Sequence, residues 1–398
     1  MAEAPEAARS PSARQSSDSR TSLTTVQQAW RWLAVVGALY LLISAVNVMS
    51  RGFRLMGDDA AHQLFSFASN PVVGLAVGVL ATVLIQSSST TTAITVTAVG
   101  TGALYLHEAV PVIMGSNVGT TVTCTLVALG FVGDREEFRR ALAASTIHDF
   151  FNLLALLIFF PIELLFRPLE RVSEWLTNLT YGSSALPNPS QTNIIRVLTR
   201  PMVNTIADIV GGIGSQFVGA VLVLLTGVVM IFLAVRLLST LLKSLLIGRA
   251  RTALTHAVDR GPALAMATGF GVTVVTQSST VTNSVLVPFV GAGAITPRQL
   301  YPVTLGGNIG TTLTALLAAF AVSGGKARIG LQAAYIHLIY NVAAVCLIFG
   351  VPFLRQIPVR LAELFADKAV DNKKLVFAYL LGVFVVLPAT VIAVAVLV

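Results

Sequence analysis

The chain has 398 residues, of which 55% are hydrophobic and 11% charged, with a formal net charge of +8. An ordinary soluble domain carries about 25% charged residues, so these proportions exclude a water-soluble globule and point to an all-α polytopic membrane protein. The positive excess is small and lies between apolar runs, which excludes a nucleic-acid-binding stripe. Cys124 and Cys346 both fall in apolar segments, so neither a disulfide nor a metal framework is expected.

Residues 1–25 are rich in Ala, Ser, Pro and Arg and read as a disordered cytoplasmic tail. The first span covers about 30–49, with Trp30 and Trp32 as interface anchors. An amphipathic stretch over 53–68 holds Asp58, Asp59 and His62 and is expected at the membrane surface. From Pro71 to Gly102 an apolar run is interrupted by Gln86-Ser87-Ser88-Ser89-Thr90-Thr91-Thr92. Each half is shorter than the roughly 20 residues a spanning helix needs, which predicts a re-entrant helical hairpin with the polar patch at its tip. A span over 104–131 is expected to break at Gly115–Gly119, and the next runs over about 141–162. Pro187, Pro189 and scattered charges mark 167–214 as a loop. A helix over about 215–247 follows, then a second hairpin at 262–293 with the patch Gln277-Ser278-Ser279-Thr280. A second span, 297–322, is expected to break at Gly306–Gly310. Spans at about 328–351 and 375–397 complete the chain, the last preceded by a basic loop.

The two halves repeat. Residues 78–126 laid over 269–317 without gaps give 21 identities in 49 positions, including Asn117/Asn308 and Gly119-Thr120-Thr121/Gly310-Thr311-Thr312. A shift of two residues then aligns His148 with His337 and Asn152 with Asn341. The organisation is therefore transport repeat 1 at 26–166, the inter-repeat loop at 167–214, transport repeat 2 at 215–352, and 353–398 as a basic loop with an extra C-terminal span. Three crossings separate the two starts, and an odd number inverts the second copy, giving an inverted-topology repeat with a hairpin and a broken helix in each half. Basic loops at 135–140, 243–251 and 355–374 favour a cytoplasmic N-terminus, with Lys326 and Arg328 dissenting.

Seven consecutive amide and hydroxyl side chains at membrane depth imply use. Serine or threonine opening a half-helix would leave backbone N–H groups and the positive end of the dipole aimed at the site, an oxyanion cradle without a fixed cation. No Lys or Arg occurs in 71–102, 108–131 or 262–296, so compensating charge has to arrive with the substrate. Asn117, Thr120, Thr121, Thr125, Asn308, Thr311 and Thr312 offer oxygens that suit sodium. Asp149, inside the third span, is a further cation ligand; its copy-2 counterpart is Leu338. The residues thus argue for cation-coupled anion transport without any resident cofactor, leaving phosphate, sulfate and arsenate open. An intramembrane hydrolase is the alternative from another class, but no serine has a nucleophile-elbow context.

The paired Gln-Ser-Ser motifs, the Gly-x-Asn-x-Gly-Thr-Thr segments, the run Val132 to Arg140 and the stretch Ala144 to Asn152 resemble the type II sodium–phosphate cotransporters. The resemblance covers about 30–350 and implies symport of inorganic phosphate with sodium into the cell across the plasma membrane. It implies phosphate between Gln86-Ser87-Ser88-Ser89 and Gln277-Ser278-Ser279-Thr280, and sodium at Thr125, Asp134, Asn152 and Asp149. Electrogenic members resemble this chain in having Asp at the Asp149 position. The chain departs from the pattern at Ser145, where Ala is usual, and at Phe131, where a glutamine ligand is expected. The short, cysteine-poor linker is similar to bacterial members.

Plainer readings attach to several of these residues. A lone Ser/Thr cluster often bonds its own helix carbonyls, and Gly-x-Asn-x-Gly can be a close helix contact. His148 and His337 read as packing and hydrogen-bonding groups, Thr123 and the threonines of 91–97 as packing, and Asp134 equally as a helix cap.

Overall fold

The computed structural model describes residues 25–181, 193–322 and 324–397. All but the last residue of the expected tail at 1–25, and the Pro187/Pro189 segment, lie outside the described residues. Among those described there is no strand, and seven helical stretches are long and apolar enough to cross a membrane: Thr25–Met56, Leu106–Phe131, Arg135–Phe166, Gln216–Leu246, Pro297–Ala321, Ala327–Phe349 and Lys374–Leu397. The chain is an all-α polytopic membrane protein.

Helix α1 (Thr25–Met56) is followed by a short α2 (Asp58–Leu64). The first interrupted run becomes α3 (Pro71–Ile85) and α4 (Ser88–Thr101). They double back on each other, since Thr82 donates to Thr91 at 3.0 Å across the turn. Collinear helices would hold those residues roughly 13 Å apart. The second run behaves identically in α11 (Pro262–Thr276) and α12 (Ser279–Gly291), joined by a 2.7 Å bond between the Thr273 and Thr282 hydroxyls. Each hairpin lies against the helix after it through glycine. A Cβ on Gly78 would run into the Val112 carbonyl of α5 (Leu106–Gly119), and one on Gly269 into the Val303 carbonyl of α13 (Pro297–Ala321). Small residues allow this approach where lipid supplies no hydrophobic drive.

The second arm of each hairpin packs on the other copy. Gly100 of α4 meets Val322 and Gly330, the latter on α14 (Ala327–Ala344). Gly291 of α12 meets Phe131 and Ala141, the latter on α7 (Arg135–Phe166). Each hairpin thus rests one arm on its own copy and the other arm on the opposite copy. Helix α10 (Gln216–Val258) runs antiparallel to α1, with Gly52 against Leu224 and Gly227 against Met49.

Four expectations are corrected. The second span after a hairpin does not break: α13 is continuous through Gly306–Gly310. Its glycines are contact glycines, for a Cβ on Gly306 would overlap the Met266 carbonyl and stand 2.7 Å from the Phe270 nitrogen. The copy-1 equivalent does break, between α5 and α6 (Val122–Ala128), but at Thr120–Thr121, after the glycines. The expected loop at 167–214 holds two helices, α8 (Pro168–Thr180) and α9 (Asn193–Gly211), and the expected basic loop is α15 (Pro352–Asp371). Their charges lie on one face of amphipathic helices, a pattern that reads as loop when only mean polarity is weighed. The last span is α16 (Lys374–Leu381) and α17 (Leu387–Leu397), joined by a π-helical turn.

Candidate functional site

The two hairpin tips share one backbone design. Gln86 and Gln277 end their helices in the left-handed region, with φ of 57° and 52°. A non-glycine residue held there costs on the order of 1 kcal/mol, so the surroundings must impose it. The side-chain amide closes on the helix it ends: Gln86 Nε2 donates to the Val83 carbonyl at 2.5 Å and Gln277 Nε2 to Val274 at 2.6 Å. The other side of each amide accepts from a threonine, Thr123 at 2.5 Å and Thr314 at 2.7 Å. Ser87 and Ser278 then cap the next helix, accepting from Thr90 N and Val281 N, both at 3.2 Å. The amides of Ser88, Ser89, Ser279 and Thr280 consequently open their helices without a partner inside them. Each tip is thus a short run of N–H and hydroxyl groups at a helix N-terminus, a chemistry suited to an oxyanion. Their exposure differs: Gln86 is exposed, whereas Gln277 is 7% exposed and Thr314 1%.

The asparagines and histidines form one buried network whose bonds exchange between copies. Asn117 Oδ1 accepts from His337 Nε2 at 3.0 Å, and Asn308 Oδ1 from His148 Nε2 at 2.5 Å. Asn117 Nδ2 donates to Asn341 Oδ1 at 3.2 Å, and Asn308 Nδ2 to Asn152 Oδ1 at 2.8 Å. Each of these four bonds has its copy-swapped twin. The amides of Asn117 and Asn308 are thereby committed to tying the copies together. One bond breaks the pattern. Asn152 Nδ2 donates to the Asn117 carbonyl at 3.0 Å, while Asn341 Nδ2 turns to His337 of its own helix at 2.9 Å.

Asp149 is 1% exposed. Its Oδ2 accepts from Thr125 at 3.4 Å and from Tyr379 at 3.2 Å, and its Oδ1 has no partner. A buried carboxylate with an unused oxygen is a costly arrangement that a bound cation would relieve. The hydroxyls of Thr120, Thr121, Thr311 and Thr312 each donate to a carbonyl of their own segment, leaving their oxygens free to accept. Asp134 stands apart: it caps α7 by accepting from Glu137 N at 2.9 Å, fifteen residues and about 22 Å along the helix from Asp149.

Three contributors lacked a sequence signal strong enough to single them out. Thr123, expected as packing, holds the first tip. Thr314 does the same for the second, and its alignment with Thr123 is the signal that could have found both. Tyr379 comes from outside the repeat, so no internal symmetry points to it.

A family model described as Na+/Pi-cotransporter matches residues 41–187 and 230–355. The chain belongs to the Na+/Pi-cotransporter family. It is 31% identical over 461 aligned residues to sodium-dependent phosphate transport protein 2B of Pongo abelii, covering 93% of this chain and 66% of that protein. To the protein of the same name from Homo sapiens it is 30% identical, covering 91% and 64%. To sodium-dependent phosphate transport protein 2A of Rattus norvegicus it is 33% identical, covering 91% and 67%. The chain spans about two thirds of the length of these relatives. No solved structure matches it. Both hairpin tips and the whole Asn–His network fall within the family match; Tyr379 lies beyond it.

Proposed function

We propose that this member of the family carries inorganic phosphate into the cell with sodium, as a multi-pass symporter of the plasma membrane with a cytoplasmic N-terminus. Phosphate is held between Gln86-Ser87-Ser88-Ser89 and Gln277-Ser278-Ser279-Thr280. Sodium enters as the coupling ion and not as a resident cofactor. Asp149 and Thr125 are its strongest ligands in this reading, with Asn152, Thr120, Thr121, Thr311 and Thr312 within the same part of the fold and Asp134 at the periphery. Names of the relatives supply the substrates; the observation that carries the reading to this chain is the duplicated tip. Two left-handed glutamines and two serine caps present unpartnered N–H groups where no Lys or Arg is available, so an anion held there needs a cation brought in with it.

The copies are read as an inverted-topology pair. Supporting this, α1 and α10 begin 191 residues apart, the offset that aligns the two hairpins, and they pack antiparallel. The hairpins are read as re-entrant, because Pro71–Ile85 and Pro262–Thr276 are too short to span and turn back at a polar tip.

The test is radiolabelled phosphate uptake into proteoliposomes under an imposed sodium gradient, with a potassium control and the membrane potential clamped at either sign. The expected result is sodium-dependent uptake that an inside-negative potential stimulates. Sodium dependence without a response to potential would remove the charge-carrying role of Asp149. Uptake indifferent to sodium would overturn the symport.

A further inference from the structure

Away from the hairpin tips, a cavity of about 520 Å³ opens where α10, the base of the second hairpin, α13 and α15 meet. Arg298, Arg355 and Arg360 line it against one carboxylate, Asp259. Arg298 also stands 3.6 Å from Glu363, but neither Arg355 nor Arg360 pairs with a carboxylate among the described residues. Arg355 lies over the Phe349 ring at 5.2 Å, and Phe349 packs edge-on against Tyr301 at 5.6 Å. Tyr301 lines the cavity, is 2% exposed, and its hydroxyl has no partner. A buried phenol keeps an unmet hydrogen bond at a cost on the order of 1–3 kcal/mol unless something else supplies it. Helix α11 begins in the cavity wall at Pro262, and α15 begins at Pro352, between the lining residues Phe349 and Arg355; neither has a side-chain cap.

The other copy shows what such a place wants. The equivalent cavity beneath the first hairpin is only about 70 Å³, with His107 where copy 2 has Arg298 and Val110 where it has Tyr301. There a carboxylate of the chain itself fills the role. Glu163 reaches the start of α8 and accepts from Leu169 N at 2.8 Å and Glu170 N at 3.2 Å. Helix α8 follows α7 as α15 follows α14, yet the start of α15 has no such carboxylate, and three arginines line the larger space where Arg167 alone lines the smaller one beside Glu163.

We propose that this cavity is a second anion site, distinct from the hairpin tips, which takes a phosphoryl group where copy 1 places the Glu163 carboxylate. Arginine guanidinia supply paired donors of the geometry phosphate oxygens accept, the Tyr301 hydroxyl supplies a neutral one, and the uncapped helix starts add their dipoles. Tyr301 is seven residues from Asn308, about 10 Å along α13, so an occupant would sit two turns from the central network. Two sources share this chemistry: inorganic phosphate and the headgroup of an anionic phospholipid. The site stands independently of the symport reading, because nothing in it requires sodium.

The test is equilibrium binding of radiolabelled orthophosphate to the purified full chain in potassium and in sodium. Nanodiscs of phosphatidylcholine, alone or with phosphatidic acid, provide the two lipid arms. A sodium-independent component is expected in the phosphatidylcholine discs. The double variant Arg298→Gln/Arg355→Gln lowers its affinity by about tenfold or more, and Tyr301→Phe by about threefold. Tyr301→Phe leaves the thermal midpoint of ligand-free protein unchanged or higher, which separates lost binding from lost folding. If phosphatidic acid abolishes the orthophosphate component, and lipid retained through delipidation falls in the double variant, the source is a headgroup; if the component persists, it is free phosphate. Either result supports the site. Absence of a sodium-independent component together with unchanged lipid retention would overturn it, as would variants that bind like the parent. Failure of the symport would show instead as a missing sodium-dependent component, which these variants leave in place.

Discussion

Asn117-Val118-Gly119-Thr120-Thr121 and Asn308-Ile309-Gly310-Thr311-Thr312 differ by one methylene, yet the first ends a helix and the second runs on through one. Propensity cannot separate them. The copies differ in one side-chain amide: Asn152, together with Thr120 N, donates to the Asn117 carbonyl that Thr121 N would use in a continuous helix, whereas Asn341 turns to its own helix. The same copy exposes its hairpin tip at Gln86, while Gln277 is buried. The two halves of the duplicated sequence therefore differ both in the helix after the hairpin and in the exposure of the tip glutamine. An alternating-access carrier needs such a pair of states, and the inverted reading predicts that the halves exchange them.

The comparison can be broken most forcefully at the glycines both copies share. Gly115→Val and Gly306→Val should each cost about 3 kcal/mol or more, because the new carbons meet backbone that cannot move aside. Loss of a monodisperse peak on size exclusion reads this out. Similar tolerance at only one site would show that the copies pack differently after all.

Asn152→Ala and Asn341→Ala come next. Each leaves a buried amide group of Asn308 or Asn117 without its partner, at about 1–3 kcal/mol. Only Asn152→Ala should also let Thr121 N recover its helical bond, so amide exchange at Thr121 slows in that variant and not in the other. Equal exchange in both would remove the account of the break.

The tips offer a smaller contrast. Thr314→Val strands the buried Gln277 amide oxygen and should cost about 1–2 kcal/mol, whereas water can replace Thr123 beside the exposed Gln86, so Thr123→Val should cost under about 0.5 kcal/mol. Paired thermal unfolding measurements check this. Smallest is Tyr379→Phe, which removes one of the two donors to Asp149 for about 1 kcal/mol or less, and whose readout is a changed sodium concentration for half-maximal uptake.

Much of this is legible in the sequence. The spans follow from apolar run length, the hairpins from runs too short to cross, and the duplication from glycines at fixed offsets. The continuity of α13 is not legible, because Gly306 and Gly310 look like helix breakers until the neighbour that occupies their missing Cβ is known. Helices α8, α9 and α15 were hidden by their charge, which periodicity disguises when one face is lipid or solvent. Within the site, the tips stood out because they repeat. Tyr379 did not, since a partner 230 residues distant and outside the repeat leaves no local trace.

The most direct test of the paired-tip account is cysteine accessibility. Gln86→Cys and Gln277→Cys would be placed separately in a background with Cys124 and Cys346 replaced by alanine, and treated with a membrane-impermeant thiol reagent from each side. The account predicts that the Gln86→Cys thiol reacts at least about tenfold faster than that of Gln277→Cys without substrate, and that sodium and phosphate together protect it while either alone does not. Equal reactivity of the two thiols from one side, or reaction indifferent to sodium and phosphate, would contradict a substrate site built from an open tip and a closed one.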